Sequence, residues 1–385
     1  MLTALTNAHT FGDWPNFRGP RHDGISTEKN FCSSWTKAPG AKWEVPVGAA
    51  YSSFAVVGDR LYTCGTRDKK QVLVCLNADN GFTLWSTPIE AAYNDDMGSG
   101  TRATPTVNDG RVYILGARGR LLCCDAGTGR ELWSHEFHNI PQWGYSGSVL
   151  IDGSLAIFSP GNTDGALQAV DKKTGTVVWK CGTDGPGYST PYPFDFEGRH
   201  YICGFAAGSA IVAELPGGRE VLSIPWNTDW KVNATAPIFH DGHLLLSSGY
   251  RTGAGLFRLR RDGDHLAAES VWKNKLMLNK FQSPVMMDGR LYVSDEKGLK
   301  CVTFKTGDVQ WEKKRIANGT IILADGRMIL MTETGELQIG PLSEQAFEPT
   351  GKTVILGKCW TVPVLDNGRL YARDMEKAVC IDLSK

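Results

Sequence analysis

Asp125-Ala-Gly-Thr-Gly129-Arg-Glu-Leu-Trp133 is the stretch whose reading decides the fold. It returns as Asp171-Lys-Lys-Thr-Gly175-Thr-Val-Val-Trp179. Asn77 and Thr303 fill the first slot in two further copies, ahead of Gly81 with Trp85 and Gly307 with Trp311. Outward from these copies, Trp43, Trp85, Trp133, Trp179, Trp226, Trp272 and Trp311 recur at about 40–48 residues, a period typical of propeller blades and helical arrays.

Alignment on the tryptophan exposes a second repeat, a tight turn between two apolar runs. It reads Val57-Gly-Asp-Arg60, Asn108-Asp-Gly-Arg111, Ile151-Asp-Gly-Ser154, His240-Asp-Gly-His243, Met287-Asp-Gly-Arg290, Ala324-Asp-Gly-Arg327 and Asp366-Asn-Gly-Arg369. Asp-Gly and Asn-Gly supply the positive φ that a two-residue hairpin requires. The flanking runs, such as Arg111-Val-Tyr-Ile-Leu115, alternate and are rich in strand formers. A third strand follows, as in Leu121-Leu-Cys-Cys-Asp125, and the Asp turn leads into a fourth that ends at the tryptophan. Four antiparallel strands per unit make a propeller blade.

Eight units are expected, with first strands starting near Ser52, Ala103, Ser146, Ser189, Ala234, Gln282, Thr320 and Thr361. The fold class is therefore all-β, an eight-bladed β-propeller. Blade seven lacks the tryptophan, and blade eight stops after its third strand at Cys380-Ile-Asp-Leu383. Residues 42–47, which carry Trp43 at the right phase, are expected to supply the missing strand and close the ring, removing an open edge. The seven tryptophans are read as blade-docking residues, each burying a large ring against a neighbouring blade's turn. Residues 41–385 then form one propeller, and the Pro/Gly-rich residues 1–40 an extension packed on it.

Composition bounds the function. The 385 residues carry 41 basic and 41 acidic side chains, which argues against a general nucleic-acid surface. No apolar run is long enough to span a bilayer. The first ten residues lack a basic region and an apolar core, so no intact signal peptide is recognisable. Of ten cysteines, Cys75, Cys123, Cys301 and Cys380 fall at one repeat position, where the third repeat has Ala169. One position per blade sets them apart from each other, and they read as small buried hydrophobes. The vicinal Cys123-Cys124 points to opposite faces of a strand. No spacing matches a zinc site, and His135 with His138 and His240 with His243 read as surface residues, so no metal is expected.

The Asp-x-x-Thr-Gly-x3-Trp unit resembles the pyrroloquinoline-quinone (PQQ) enzyme repeat. The whole chain resembles bacterial PQQ-like β-propeller proteins of the polyvinyl-alcohol-dehydrogenase-like kind. Further support comes from Trp14-Pro-Asn-Phe-Arg-Gly-Pro-Arg-His-Asp-Gly24, Gly144-Tyr-Ser-Gly147, Gly187-Tyr-Ser-Thr-Pro191, Lys231-Val-Asn-Ala234, Ser248-Gly-Tyr250 and Gly357-Lys-Cys-Trp-Thr-Val-Pro363. The repeat is shared by quinoprotein dehydrogenases and by BamB-like propellers, which bind proteins. The resemblance implies a bacterial, periplasmic or otherwise extracytoplasmic protein.

In a propeller, the loops leading into each first strand and those joining strands two and three gather on one face around the channel. Arg102, Tyr145, Tyr188, Asn233, Lys280, Gln282 and Trp360 precede first strands. Asn162 and Asp164 lie in the strand two–three loop of blade three, and Tyr250 and Arg251 in that of blade five. These eleven residues are the expected ligand-binding ring, and Arg102, Arg251 and Lys280 would favour an anion. The leading expectation is a binding or scaffold module, monomeric, that holds a protein partner or an anionic small ligand at the channel face. The alternative implied by the resemblance is a PQQ- and calcium-dependent quinoprotein alcohol or sugar oxidoreductase. Calcium wants several oxygen ligands, usually with acids among them, and the residues leading into the first strands offer Asn233 but no Asp or Glu.

Overall fold

A computed structural model describes residues 13–385. Eight four-stranded antiparallel blades form the ring, from Ala55–Ala91 in blade one to Val364–Asp382 in blade eight. First strands start at Ala55, Thr106, Leu150, Tyr192, Ile238, Val285, Gly319 and Val364. Seven of these lie three or four residues beyond the expected starts, and the eighth, Gly319, lies one before. The reason is that residues such as Ser53 and Thr104 bond across to the next blade before pairing within their own.

The repeat motif is a lock between blades. Asp125 Oδ1 accepts from the Thr128 amide and hydroxyl, both at 2.8 Å, which fixes the turn. Gly129 then adopts φ +72°, and a Cβ there would lie 2.5 Å from the Trp85 ring of the preceding blade. The same contact recurs between Gly81 and Trp43, Gly175 and Trp133, Gly218 and Trp179, and Gly307 and Trp272. Each indole N–H donates to a carbonyl of the turn it covers: Trp43 to Ala78, Trp85 to Ala126, Trp133 to Lys172, Trp179 to Pro216, Trp272 to Phe304 and Trp311 to Ser343, at 2.8–3.2 Å. The glycine is thus required twice, for its left-handed backbone and for the flat surface it offers the ring.

Trp226 departs from this scheme. In blade four the position opposite Val212, equivalent to Trp85 opposite Cys75, is held by Leu222. Trp226 follows its strand by one residue and donates instead to Ser248 Oγ at 3.1 Å. It still packs against blade five, edge-on to Phe257, but from a different place. In blade seven the fourth strand, Gly351–Val354, has no tryptophan, and Trp35 from the N-terminal segment covers Gly351 and donates to Lys352 O.

The strand Ala41–Pro46 pairs antiparallel with Lys377–Asp382, and Trp43 faces Cys380. This closes the ring with the N-terminal strand. At the same seam the fully buried Arg373 donates to Gly48 O, Cys64 O, Thr63 Oγ1 and Asp374 O, tying blade eight to blade one. The cysteines are free, nine of the ten buried. Desolvation pushes the Cys123 thiol up to about 11 and Cys124 up to about 12, which leaves both unreactive near neutrality.

Residues 13–26 form a strap over the inner strands. Trp14 bridges to Val56, Val107 N–H donates to Pro15 O, Leu323 N–H donates to Gly24 O, and Ser26 Oγ donates to Leu365 O. Ile25–Ser26 add a short parallel strand to blade seven. Arg18 holds the strap's centre, its buried guanidinium donating to the carbonyls of His22, Asp23, Ser283 and Pro284. The strap thereby touches blades one, two, six, seven and eight. No helix among the described residues is long and apolar enough to cross a membrane.

Candidate binding site in the channel

The inner rim of the ring is built on hydroxyls. Ser53 N–H donates to Thr104 Oγ1, Thr104 N–H to Ser148 Oγ, and Ser148 N–H to Thr190 Oγ1, at 2.9–3.1 Å. Ser189 Oγ donates to Thr235 O, Ala236 N–H to Ser283 Oγ, Thr320 Oγ1 to Thr361 O and Ser53 Oγ to Val362 O. Seven of the eight blade junctions are sewn in this way, at or just before the start of the first strand. Thr104, Ser148 and Thr190 accept an N–H but donate to no group among the described residues, and all three line the channel cavity. Their protons are available to whatever occupies it.

That cavity has a volume of about 410 Å³, within the range of small-ligand sites. Its walls are aromatic. Tyr51 stacks on Trp360 with ring centroids 5.1 Å apart, Phe281 lies 5.0 Å from Trp360, and Trp143 leans on Tyr188. Phe17, from the strap, is the lining residue contributed by no blade. Two cations stand in these walls. Arg102 donates to Gly98 O at 2.7 Å and to Gly100 O, with its guanidinium 4.3 Å from the Tyr93 ring centroid. Burial lowers its pKa, yet it has no carboxylate partner among the described residues. Lys280 sits 5.5 Å over Tyr250 and makes no hydrogen bond among the described residues. Glu333 is the single carboxylate in the described lining. The surplus is positive, in a low-polarity setting that strengthens attraction for an anion.

The structure brings together Arg102, Tyr188, Tyr250, Lys280, Gln282 and Trp360 around this cavity. The other five expected residues lie elsewhere. Tyr145 is buried and donates to Pro160 O at 2.9 Å, and Asn233 is buried with its amide on Ala206 O and Trp226 O. Both hold loops by their backbones. Asn162 opens a single 3-10 turn, Asn162–Asp164, on the surface, and Asp164 pairs with Lys180 at 3.0 Å. The Arg251 side chain is 85% exposed and lies 3.5 Å from Asp229.

Sequence reasoning missed Phe17, Tyr51, Met97, Trp143, Trp230, Phe281 and the hydroxyls. The hydroxyls had a signal: Thr104-Pro105, Thr190-Pro191 and Ser283-Pro284 recur at one phase. Among the described residues, no three His, Cys, Asp or Glu side chains converge as a metal site would require. Glu333 is the one carboxylate of the described lining, whereas calcium usually takes several oxygen ligands with acids among them.

Comparison with known proteins agrees with the ring and divides on its use. Residues 34–183 match the family model described as outer membrane protein assembly factor BamB. The chain is 32% identical over 143 residues to a quinoprotein ethanol dehydrogenase of Pseudomonas aeruginosa, covering 34% of this chain and 22% of that one. It is 21% identical over 350 residues to outer membrane protein assembly factor BamB of Yersinia pestis, covering 88% and 77%. The match to the quinoprotein ethanol dehydrogenases thus spans about a fifth of their length. Among solved structures, BamB from Moraxella catarrhalis superposes with a TM-score of 0.61 at 15% identity, over 89% of this chain and 97% of that one. Quinohemoprotein alcohol dehydrogenase from Comamonas testosteroni gives 0.71 at 13% identity, over 99% and 82%. These two likenesses establish the fold alone. The chain is an eight-bladed β-propeller similar both to BamB and to quinoprotein dehydrogenases.

Proposed function

We propose that this PQQ-like propeller is a binding module, which takes an anionic group of a partner or ligand into its channel and performs no chemistry on it. The observation that carries this reading is the presence of Arg102 and Lys280, neither in an ion pair among the described residues, beside an aromatic wall and three hydroxyls that donate to no described group. Such a lining recognises a charge and a flat or apolar body together. The nearly full-length relation to an outer-membrane assembly factor supports a scaffold role and a periplasmic setting.

A second reading, a quinone-dependent alcohol dehydrogenase, draws on the 32% relation and on the stacked Tyr51–Trp360 wall. The two separate in a calorimetric titration with PQQ, used as a flat polyanionic probe. The binding reading expects saturable binding that does not need calcium, weakens with salt, and falls about tenfold, or 1.4 kcal/mol, in Lys280→Gln. Binding that appears only with calcium and ignores Lys280→Gln would overturn it.

A further inference from the structure

The cavity is bordered by the strap at one end and by exposed aromatic and apolar side chains at the other. The strap spans the inner strands of blades one, two, six, seven and eight, and its Phe17 reaches the cavity. The strap thus borders the cavity on the side away from the loops that lead into the first strands. On the loop face two of the lining side chains are largely open to solvent. Met97 is 55% and Trp230 65% exposed, and both belong to the cavity lining.

The rim beside Trp230 is also held in an unfavourable backbone shape. Trp230 has φ 66° and ψ 9°, Lys231 φ 58°, Tyr250 φ 52° and Arg251 φ 62°, all left-handed and none a glycine. That shape is disfavoured for any residue with a Cβ and persists where the surroundings impose it, often at ligand clamps. Here it displays a tryptophan ring to solvent that a relaxed loop has no reason to display.

We propose that the occupant is the free carboxyl end of a partner protein, inserted end-first from the loop face, with an apolar side chain near its terminus against Trp230 and Met97. This rests on the binding reading above and names the partner class for the same cavity. A terminal carboxylate is an anion carried on an extended chain, and chain ends are captured where several N–H or O–H donors converge with a cation. Thr104, Ser148 and Thr190 supply unspent O–H donors and Arg102 and Lys280 the charge. A compact ligand would fill the enclosed part and leave the Trp230 rim bare. A chain end uses both.

The test is selection on the full protein from a randomised peptide library displayed with free carboxyl ends, with a second library whose ends are blocked as amides. The expected result is enrichment from the free-end library alone, of sequences apolar near the terminus. The selected peptides should lose about tenfold in affinity on amidation and about tenfold against Trp230→Ala. Because Trp230 is largely exposed, that variant is expected to melt with the parent, which a thermal scan checks. Enrichment equal in both libraries, or affinity indifferent to Trp230→Ala, would overturn the inference. Binding of PQQ without any peptide enrichment would overturn it while leaving the binding reading in place. Binding of neither would remove both.

Discussion

Trp179→Ala is expected to cost about 3–5 kcal/mol, among the largest effects of any single substitution in the ring. Trp179 is buried, its indole N–H reaches Pro216 O at 2.8 Å, and its ring lies on Gly218 of the next blade. Truncation leaves a cavity between blades three and four and strips a carbonyl of its donor. The reciprocal change, Gly218→Ala, should cost about 1–2 kcal/mol for a left-handed alanine at φ +72°. It should cost a further ~1–3 kcal/mol because the new Cβ would lie 2.1 Å from the Trp179 ring. In a Trp179→Ala background that second part disappears. Equilibrium denaturation of the four proteins should therefore show Gly218→Ala costing less when the tryptophan is gone. Strict additivity would mean that ring and glycine are not the lock described.

Arg373→Met should destabilise by about 3 kcal/mol or more. This guanidinium is fully buried at the seam where the ring closes, and its partners are all neutral oxygens: Gly48 O, Cys64 O, Asp374 O and Thr63 Oγ1. Methionine fills much of the space but donates nothing, so several buried acceptors lose their partner at once. Desolvation already lowers the Arg373 pKa to about 10, and the group stays charged at any pH where the protein works. Arg369→Met is the matched control. Its partner Asp79 is well exposed, and an ion pair of that kind contributes under about 1 kcal/mol. The denaturation midpoint should move far for Arg373 and little for Arg369. Equal shifts would mean that the seam is held mainly by the Trp43 strand.

These two cases show why the ring was legible and the site was not. Gly129 and Trp133 serve the same purpose in every blade that carries them, so their spacing is printed in the sequence. The exception misled for a physical reason. Trp226 keeps the period within one residue, while the docking position holds Leu222, which is apolar enough to pass unnoticed. The channel lining has no such repetition. Arg102, Lys280 and Trp360 lead into first strands and line the cavity, but Tyr145 and Asn233 lead into first strands too and turn their polar tips to backbone carbonyls instead. Nothing local distinguishes the two outcomes; the neighbouring blade decides. Arg251 sits in a loop long enough to carry its charge outward, which leaves two cations in the cavity where three were expected. Phe17 comes from a segment outside the repeat, and only the path of the strap, fixed by Arg18, brings it under the channel.

Whether the channel binds an anionic group and leaves it unchanged is decided by a dye-linked alcohol oxidation assay on the purified protein saturated with PQQ and calcium, run beside a tryptophan-fluorescence titration of the same samples. PQQ is expected to quench fluorescence from the Tyr51–Trp360 wall, and Lys280→Gln to weaken this. No alcohol-dependent dye reduction above the rate of PQQ alone is expected. Turnover that rises with alcohol, needs calcium and falls in Lys280→Gln would contradict the binding reading.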